Sequence, residues 1–205
     1  YVKNGQKVQG AIGEHSDHVH IALAQGGYFG KYANRVTVKG SKADKEQRGI
    51  LGRALELADQ WNVPYKAKLA LIEALIVESE ARNLKSASGD GFGSYGVLQG
   101  REKYHKRSDL LDPDYQIGVF LGRGRGGKKN PKGFTGRGSA SALAKRGGMS
   151  AGQIAQAVEG SAYPSRYGQH AKEAAKIIRV FSASKKSGGK AKGRKITKAP
   201  VKAKK

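Results

Sequence analysis

Apolar residues recur at helical spacing from about residue 41 to residue 182. Ile50, Leu51, Ala54, Leu57, Ala58 and Trp61 share one face, which predicts a helix running from the Ser41-Lys42-Ala43-Asp44 region to Trp61. Pro64 separates it from residues 66–82, KAKLALIEALIVESEAR. There Leu69, Leu71, Ile72, Leu75, Ile76 and Val77 surround the axis, so this helix belongs in a core. Residues 83–100 form a turn-rich loop. Further helices are predicted over 114–122, 150–159 and 166–182, with Ser150 as the N-cap of the second. Residues 1–40 differ: VQGAI, HVHIALA and NRVTVKG alternate or are rich in β-branched residues, and Gly26-Gly27 and Gly40 punctuate them. The chain therefore reads as a small β segment (1–40), a mainly α domain (41–182) and a tail (183–205), with no internal repeat.

Composition bounds the class. A chain of 205 residues fits one domain of about 100–200 residues with extensions. The absence of cysteine excludes a disulfide scaffold, a thiolate zinc site and a thiol nucleophile. No run of ~18 apolar residues is present, so no membrane span is expected. The chain opens on Tyr1, which is read as the start of a processed product or of a fragment.

The net charge of +23 points at first to nucleic acid, but it is unevenly spread. Residues 183–205 hold ten Lys and Arg, and residues 122–148 hold eight among nine glycines, with no acid in either stretch. The rest of the chain is only mildly basic. The tail has two β-branched aliphatics, Ile196 and Val201, and no aromatic, so it is read as a disordered-type basic tail. It would grip DNA or an anionic wall polymer through charge alone, without stacking on bases. Residues 122–148 are read as a mobile Gly/Lys/Arg surface loop.

Glu78 closes the apolar helix directly after Ile76-Val77. A carboxyl against apolar walls is disfavoured as an anion, which suits a general acid near neutral pH. Its neighbours in the chain strengthen this reading. In order come Glu78-Ser79, then Gly93-Ser94-Tyr95-Gly96-Val97-Leu98-Gln99, then Asp112-Pro113-Asp114-Tyr115-Gln116-Ile117, then Tyr163-Pro164-Ser165-Arg166-Tyr167. This ordered set resembles the lytic transglycosylase family of the soluble-lysozyme-like type, distant kin of goose-type lysozyme. The family pattern is a helix ending in Glu-Ser, a G-x-x-G-L-M-Q loop, a helix entered through D-P-x-x-N-I, and a late Tyr.

The resemblance implies a lysozyme-like fold and one acid/base catalyst, Glu78, acting on the MurNAc–GlcNAc β-1,4 bond of peptidoglycan. It implies that Ser79 supports the sugar or the Glu carboxyl, that Gln99 lines the sugar cleft with Tyr95 in the same loop, and that Tyr167 orients Glu78 or the substrate. Departures from the pattern are Val97-Leu98 for Leu-Met, Gln116 for Asn, and a Glu78-to-Gln99 spacing about three residues longer than the pattern, with Asp90-Gly91-Phe92 as the insertion. Glu80 diverges by about 200° from Glu78 on a helix and makes no second carboxylate. Asp90 is the better candidate for one, if a second acid exists.

His15, Asp17, His18 and His20 cluster in GEHSDHVHIAL. His18 and His20 point to one face of a strand and could share a Zn²⁺. This resembles the closing strand of cell-wall zinc peptidases, which also need an upstream His and Asp. None precedes His15, so the site is read as incomplete, the end of a peptidase-like domain, and no cofactor is expected. A peptidase-like end joined to a muramidase-like domain suggests a phage tail protein, tape-measure or tail-tip, acting in the virion on the host wall. The other localisation is a secreted wall enzyme. The alternative function is a non-catalytic virion module that contacts wall polymer, DNA or other tail proteins through its basic segments.

Overall fold

The computed structural model describes residues 2–3, 6–7, 27–86, 93–124, 127–130, 132–161, 163 and 165–189. The architecture is mainly helical. Seven helices, α1 (Lys45–Gln60), α2 (Tyr65–Ser79), α3 (Arg107–Leu110), α4 (Pro113–Leu121), α5 (Ala140–Arg146), α6 (Ala151–Glu159) and α7 (Ala171–Gly189), are joined by three two-stranded antiparallel pairings among the described residues. These pair β1 (Val2–Lys3) with β2 (Gln6–Lys7), β3 (Thr37–Val38) with β4 (Ser41–Lys42), and β5 (Ser94–Tyr95) with β6 (Gly100–Arg101).

Local chemistry sets the helix starts. Asp44 caps α1 through a reciprocal pair: its Oδ1 accepts from Gln47 N at 3.0 Å, and Gln47 Oε1 accepts from Asp44 N at 3.0 Å. Ser150 caps α6 in the same way with Gln153, as the sequence predicts. Pro64, which can begin but not continue a helix, precedes α2. Pro113 is the first residue of α4.

The apolar helix lies at the centre, as expected of a helix with no polar face. Ala67, Ala70, Leu71, Ile72, Ala74, Leu75 and Ile76 are buried, and α1, α4, α5, α6 and α7 pack around it. The helix stops at Ser79, short of the predicted residue 82, because Glu80 and Ala81 both turn left-handed (φ 56°).

Residues 27–35 depart from the β reading. Gly27–Arg35 form 3-10 turns kinked at Gly30 (φ 49°, ψ −135°), and they place Phe29 in the core beside Phe181, ring centroids 5.9 Å apart. Tyr28 lies on Gly52 of α1, where any side chain would collide with its ring. Of NRVTVKG, only Thr37–Val38 is strand, turned into β4 through left-handed Lys39 and Gly40. That hairpin straddles the expected boundary at residue 40, and Phe29, Val36 and Val38 share the core of the helical body. VQGAI, HVHIALA and the cluster with His18 and His20 lie outside the described residues.

Two other boundaries shift. Within the Gly/Lys/Arg stretch 122–148, Ser139 caps a true helix, α5, whose Leu143 enters the core, so this stretch is not all loop. The last helix starts later than predicted, at Ala171 after a 3-10 turn at Gly168–His170. It then runs through the first residues of the expected tail to Gly189. Residues 190–205 lie outside the described residues.

Candidate active site

The end of α2 and the residues before α7 meet at Glu78. Tyr167 Oη donates to Glu78 Oε1 at 2.5 Å, and Arg166 Nη2 donates to the same oxygen at 2.6 Å. The Glu78 side chain keeps 13 % of its surface exposed, and Tyr167 is fully buried. Burial and the neighbouring Glu78 and Glu159 carboxylates push the Tyr167 hydroxyl far up, so it acts as a donor and not as a phenolate. Of the predicted site residues, Glu78 and Tyr167 are therefore brought together, by elements 89 positions apart in the chain.

Ser79 does not touch the Glu78 carboxyl. It is buried, its Oγ donates to Val97 O at 2.7 Å and accepts from Arg82 N at 3.2 Å. Its work is to tie the end of α2 to the following Gly-rich loop. Gln116 fixes that loop from the other side. Fully buried, it accepts from Leu98 N at 2.7 Å and donates to Tyr95 O at 2.7 Å and Leu110 O at 2.6 Å. Gly96 is required at this clamp: it is left-handed (φ 78°), and a Cβ would fall 2.0 Å from Leu110 O.

The clamped loop presents Gln99, itself left-handed (φ 49°), to a cleft of about 530 Å³. Tyr95 is instead buried beneath the Arg107 guanidinium, 4.6 Å from its ring centre, and contributes its carbonyl to the clamp. Asp90 lies outside the described residues.

Part of the cleft lining comes from the Gly/Lys/Arg stretch: Phe134, Thr135 and Arg137 line it together with Gln99, Tyr104 and His105. His105 packs edge-on to Phe134 at 5.4 Å and its Nδ1 lies 3.0 Å from Tyr115 Oη. Burial holds the His105 imidazole below its ordinary value, which favours the neutral ring.

Sequence reasoning missed Arg166 and Glu159. Glu159 ends α6 and lines the cleft, close enough to Glu78 and Arg166 for their charges to act on it. Its signal was present: Ala157-Val158-Glu159 repeats the motif of Ile76-Val77-Glu78, an acid placed directly after the last apolar pair of a helix. Arg166 adjoins Tyr167 in the chain and had no signal of its own. Among the described residues no cluster of three His, Asp or Glu could hold a metal ion, and no helix is long and apolar enough to cross a membrane. No protein-family model matches the chain, and no curated protein matches it.

Proposed function

We propose that the protein cleaves the glycan strand of peptidoglycan at the MurNAc–GlcNAc β-1,4 bond, with Glu78 as the single acid/base. The observation that carries the reading is the Glu78–Tyr167 contact at the end of a buried helix; the pair does not itself line the polar cleft but borders it through Glu159, which does. In support, the end of α2 adjoins both other parts of the resemblance: Ser79 Oγ reaches Val97 O of the Gly-rich loop at 2.7 Å, and Tyr167 Oη reaches Glu78 at 2.5 Å.

The chemistry then follows from the groups present. Glu78 donates its proton to the glycosidic oxygen as the C1–O bond breaks. The substrate's N-acetyl oxygen stabilises the cationic carbon. The 6-hydroxyl of the same sugar attacks C1 and returns its proton to Glu78, leaving a 1,6-anhydro end. A single carboxylate suffices because the substrate supplies the nucleophile, unlike the two-carboxylate glycosidases. Arg166 pairs with the ionised form of Glu78, so the proton-donating form requires that pair to open. The Arg166 side chain is 37 % exposed, with its guanidinium over the Tyr167 ring at 5.4 Å. The setting we infer is a phage tail, where local wall cleavage accompanies infection and other tail proteins are neighbours.

Glu78→Gln keeps the shape and removes the acid. Digestion of purified sacculi followed by mass spectrometry should release 1,6-anhydro muropeptides with the native protein and none with the variant. Unchanged lysis by the variant would refute the assignment, and reducing ends in place of anhydro ends would make the reaction a hydrolysis.

A further inference from the structure

We propose that Glu159 is a functional carboxyl of the cleft that Glu78 borders, one that works protonated and donates its hydrogen to an oxygen of a β-1,4-linked N-acetylhexosamine chain. The proposal rests on the reading of the cleft as a glycan site and gives that site a donor that the lytic transglycosylase resemblance does not include.

Its position is fixed by packing. Glu159 is the last residue of α6, and Gly160 turns left-handed directly after it (φ 64°). Thr135 Oγ1 donates to Ala157 O at 3.1 Å, so the Gly/Lys/Arg stretch is tied to the same helix end. A Cβ on Gly160 would come within 2.9 Å of Thr135 Cγ2, so the glycine permits this close approach. The carboxyl thus lines the cleft from a rigid helix end.

Its surroundings decide its chemistry. Glu159 Oε1 is buried and has no hydrogen-bond partner. The groups that face it are Glu78 from α2, Arg166 and Tyr167 from the segment before α7, and Arg101, His105 and Arg137, which line the same cleft. Arg166 is the cation that acts on it most directly, and that guanidinium is engaged with Glu78 at 2.6 Å. Arg166 gives its hydrogen bond to Glu78, and Glu159 Oε1 receives none from it. Burial first, and the Glu78 charge second, push the Glu159 carboxyl well above its usual range, against the opposing pull of Arg166. An ionised Glu159 would only accept hydrogen bonds and would repel Glu78. A neutral one carries an O–H, and the acetamido and hydroxyl oxygens of an N-acetylhexosamine accept it.

The test is calorimetric binding of a β-1,4-linked N-acetylglucosamine pentamer from pH 5 to pH 9, so that it does not depend on turnover. Glu159→Ala should weaken binding roughly tenfold at pH 6, the loss of one buried hydrogen bond. Glu159→Gln, which retains a donor, should stay within about threefold of the native protein at pH 6. It should also lose the weakening that the native protein shows as pH rises. Thermal unfolding of each variant checks that it is folded. The proposal falls if the pentamer fails to bind the native protein, if alanine and glutamine behave alike, or if the glutamine variant keeps the native pH dependence. Pentamer binding with this pattern but without muropeptide release from sacculi would uphold Glu159 while refuting the catalytic reading of Glu78.

Discussion

Replacing Glu73 with glutamine is expected to make the protein more stable above pH 7 relative to its stability at pH 5. Glu73 lies on α2, five residues before Glu78, and is fully buried with neither carboxyl oxygen hydrogen-bonded. It faces the seam with α6: a Cβ placed on Gly152 would sit 3.4 Å from Glu73 Oε2 and 2.8 Å from Gly168 N. Burial without a compensating partner pushes the carboxyl from 4.5 up to about 7. The folded state therefore holds the Glu73 proton more tightly than the unfolded chain does. Its stabilising effect is complete below pH 4.5 and is lost as pH rises through 7. The gap is worth about 3 kcal/mol at 1.36 kcal/mol per unit. Glutamine cannot titrate, so the variant escapes that loss. It leaves an unpaired amide of its own, at a cost of about 1–3 kcal/mol that is the same at every pH. The clean readout is therefore the difference between two pH values. Urea unfolding followed by the single Trp61 at pH 5 and pH 8.5 should show the variant gaining about 2.5 kcal/mol on the native protein between them, the rest of the gap lying below pH 5. Repulsion among the many lysines is common to both proteins and cancels. If the two lose stability in parallel, within ~0.5 kcal/mol, Glu73 has found a partner or solvent and the reasoning fails.

Gln116→Leu should cost about 3 kcal/mol or more in urea unfolding, because it strands Leu98 N, Tyr95 O and Leu110 O in the interior. The same change should loosen the loop carrying Gln99, seen as faster amide exchange over residues 94–99. Glu173 accepts from Lys39 N and Gly40 N at 3.1 Å each, pinning the β3–β4 turn to α7. Burial raises its carboxyl, but the hydrogen bonds led by Gly40 outweigh that and hold it below its ordinary value. Its stabilising effect is therefore present at neutral pH and is lost as pH falls through the folded value. Glu173→Gln should cost about 1 kcal/mol at pH 7 and flatten the acid limb of the stability curve between pH 5 and pH 3.

The parts of the fold that were legible are those in which one periodicity dominates. α2 announced itself as a core helix because Leu71, Ile72, Leu75 and Ile76 leave no polar face, and every one is buried. α6 was legible from Ser150, whose hydroxyl has no better use than the amide of Gln153. Gly27–Arg35 was not, because its glycines and aromatics suit a strand punctuated by turns as well as they suit a 3-10 helix. The choice was made by a groove between α1 and α7 that receives Phe29, and that groove exists only after the chain has folded. The helix in the Gly/Lys/Arg stretch was hidden for a related reason. SALAK is too short to show a period, and α5 forms because Leu143 finds the core.

The site divides along the same line. Glu78 stood out through the ordered set of motifs that follows it, since an acid after an apolar pair recurs at Glu159. Position in the sequence could not assign Ser79, since a hydroxyl at a helix end serves a sugar or a carbonyl equally well, and the carbonyl of Val97 takes it at 2.7 Å. Nor did it single out Glu159. What decides whether a buried carboxyl stays neutral is which cations remain unengaged around it. Arg166 lies seven residues beyond Glu159 in the chain, yet its guanidinium is bound to an acid 88 positions away. That engagement leaves Glu159 in the cleft with its strongest cation already committed, and it follows from how α2, α6 and the residues before α7 meet. No window along the sequence contains all three.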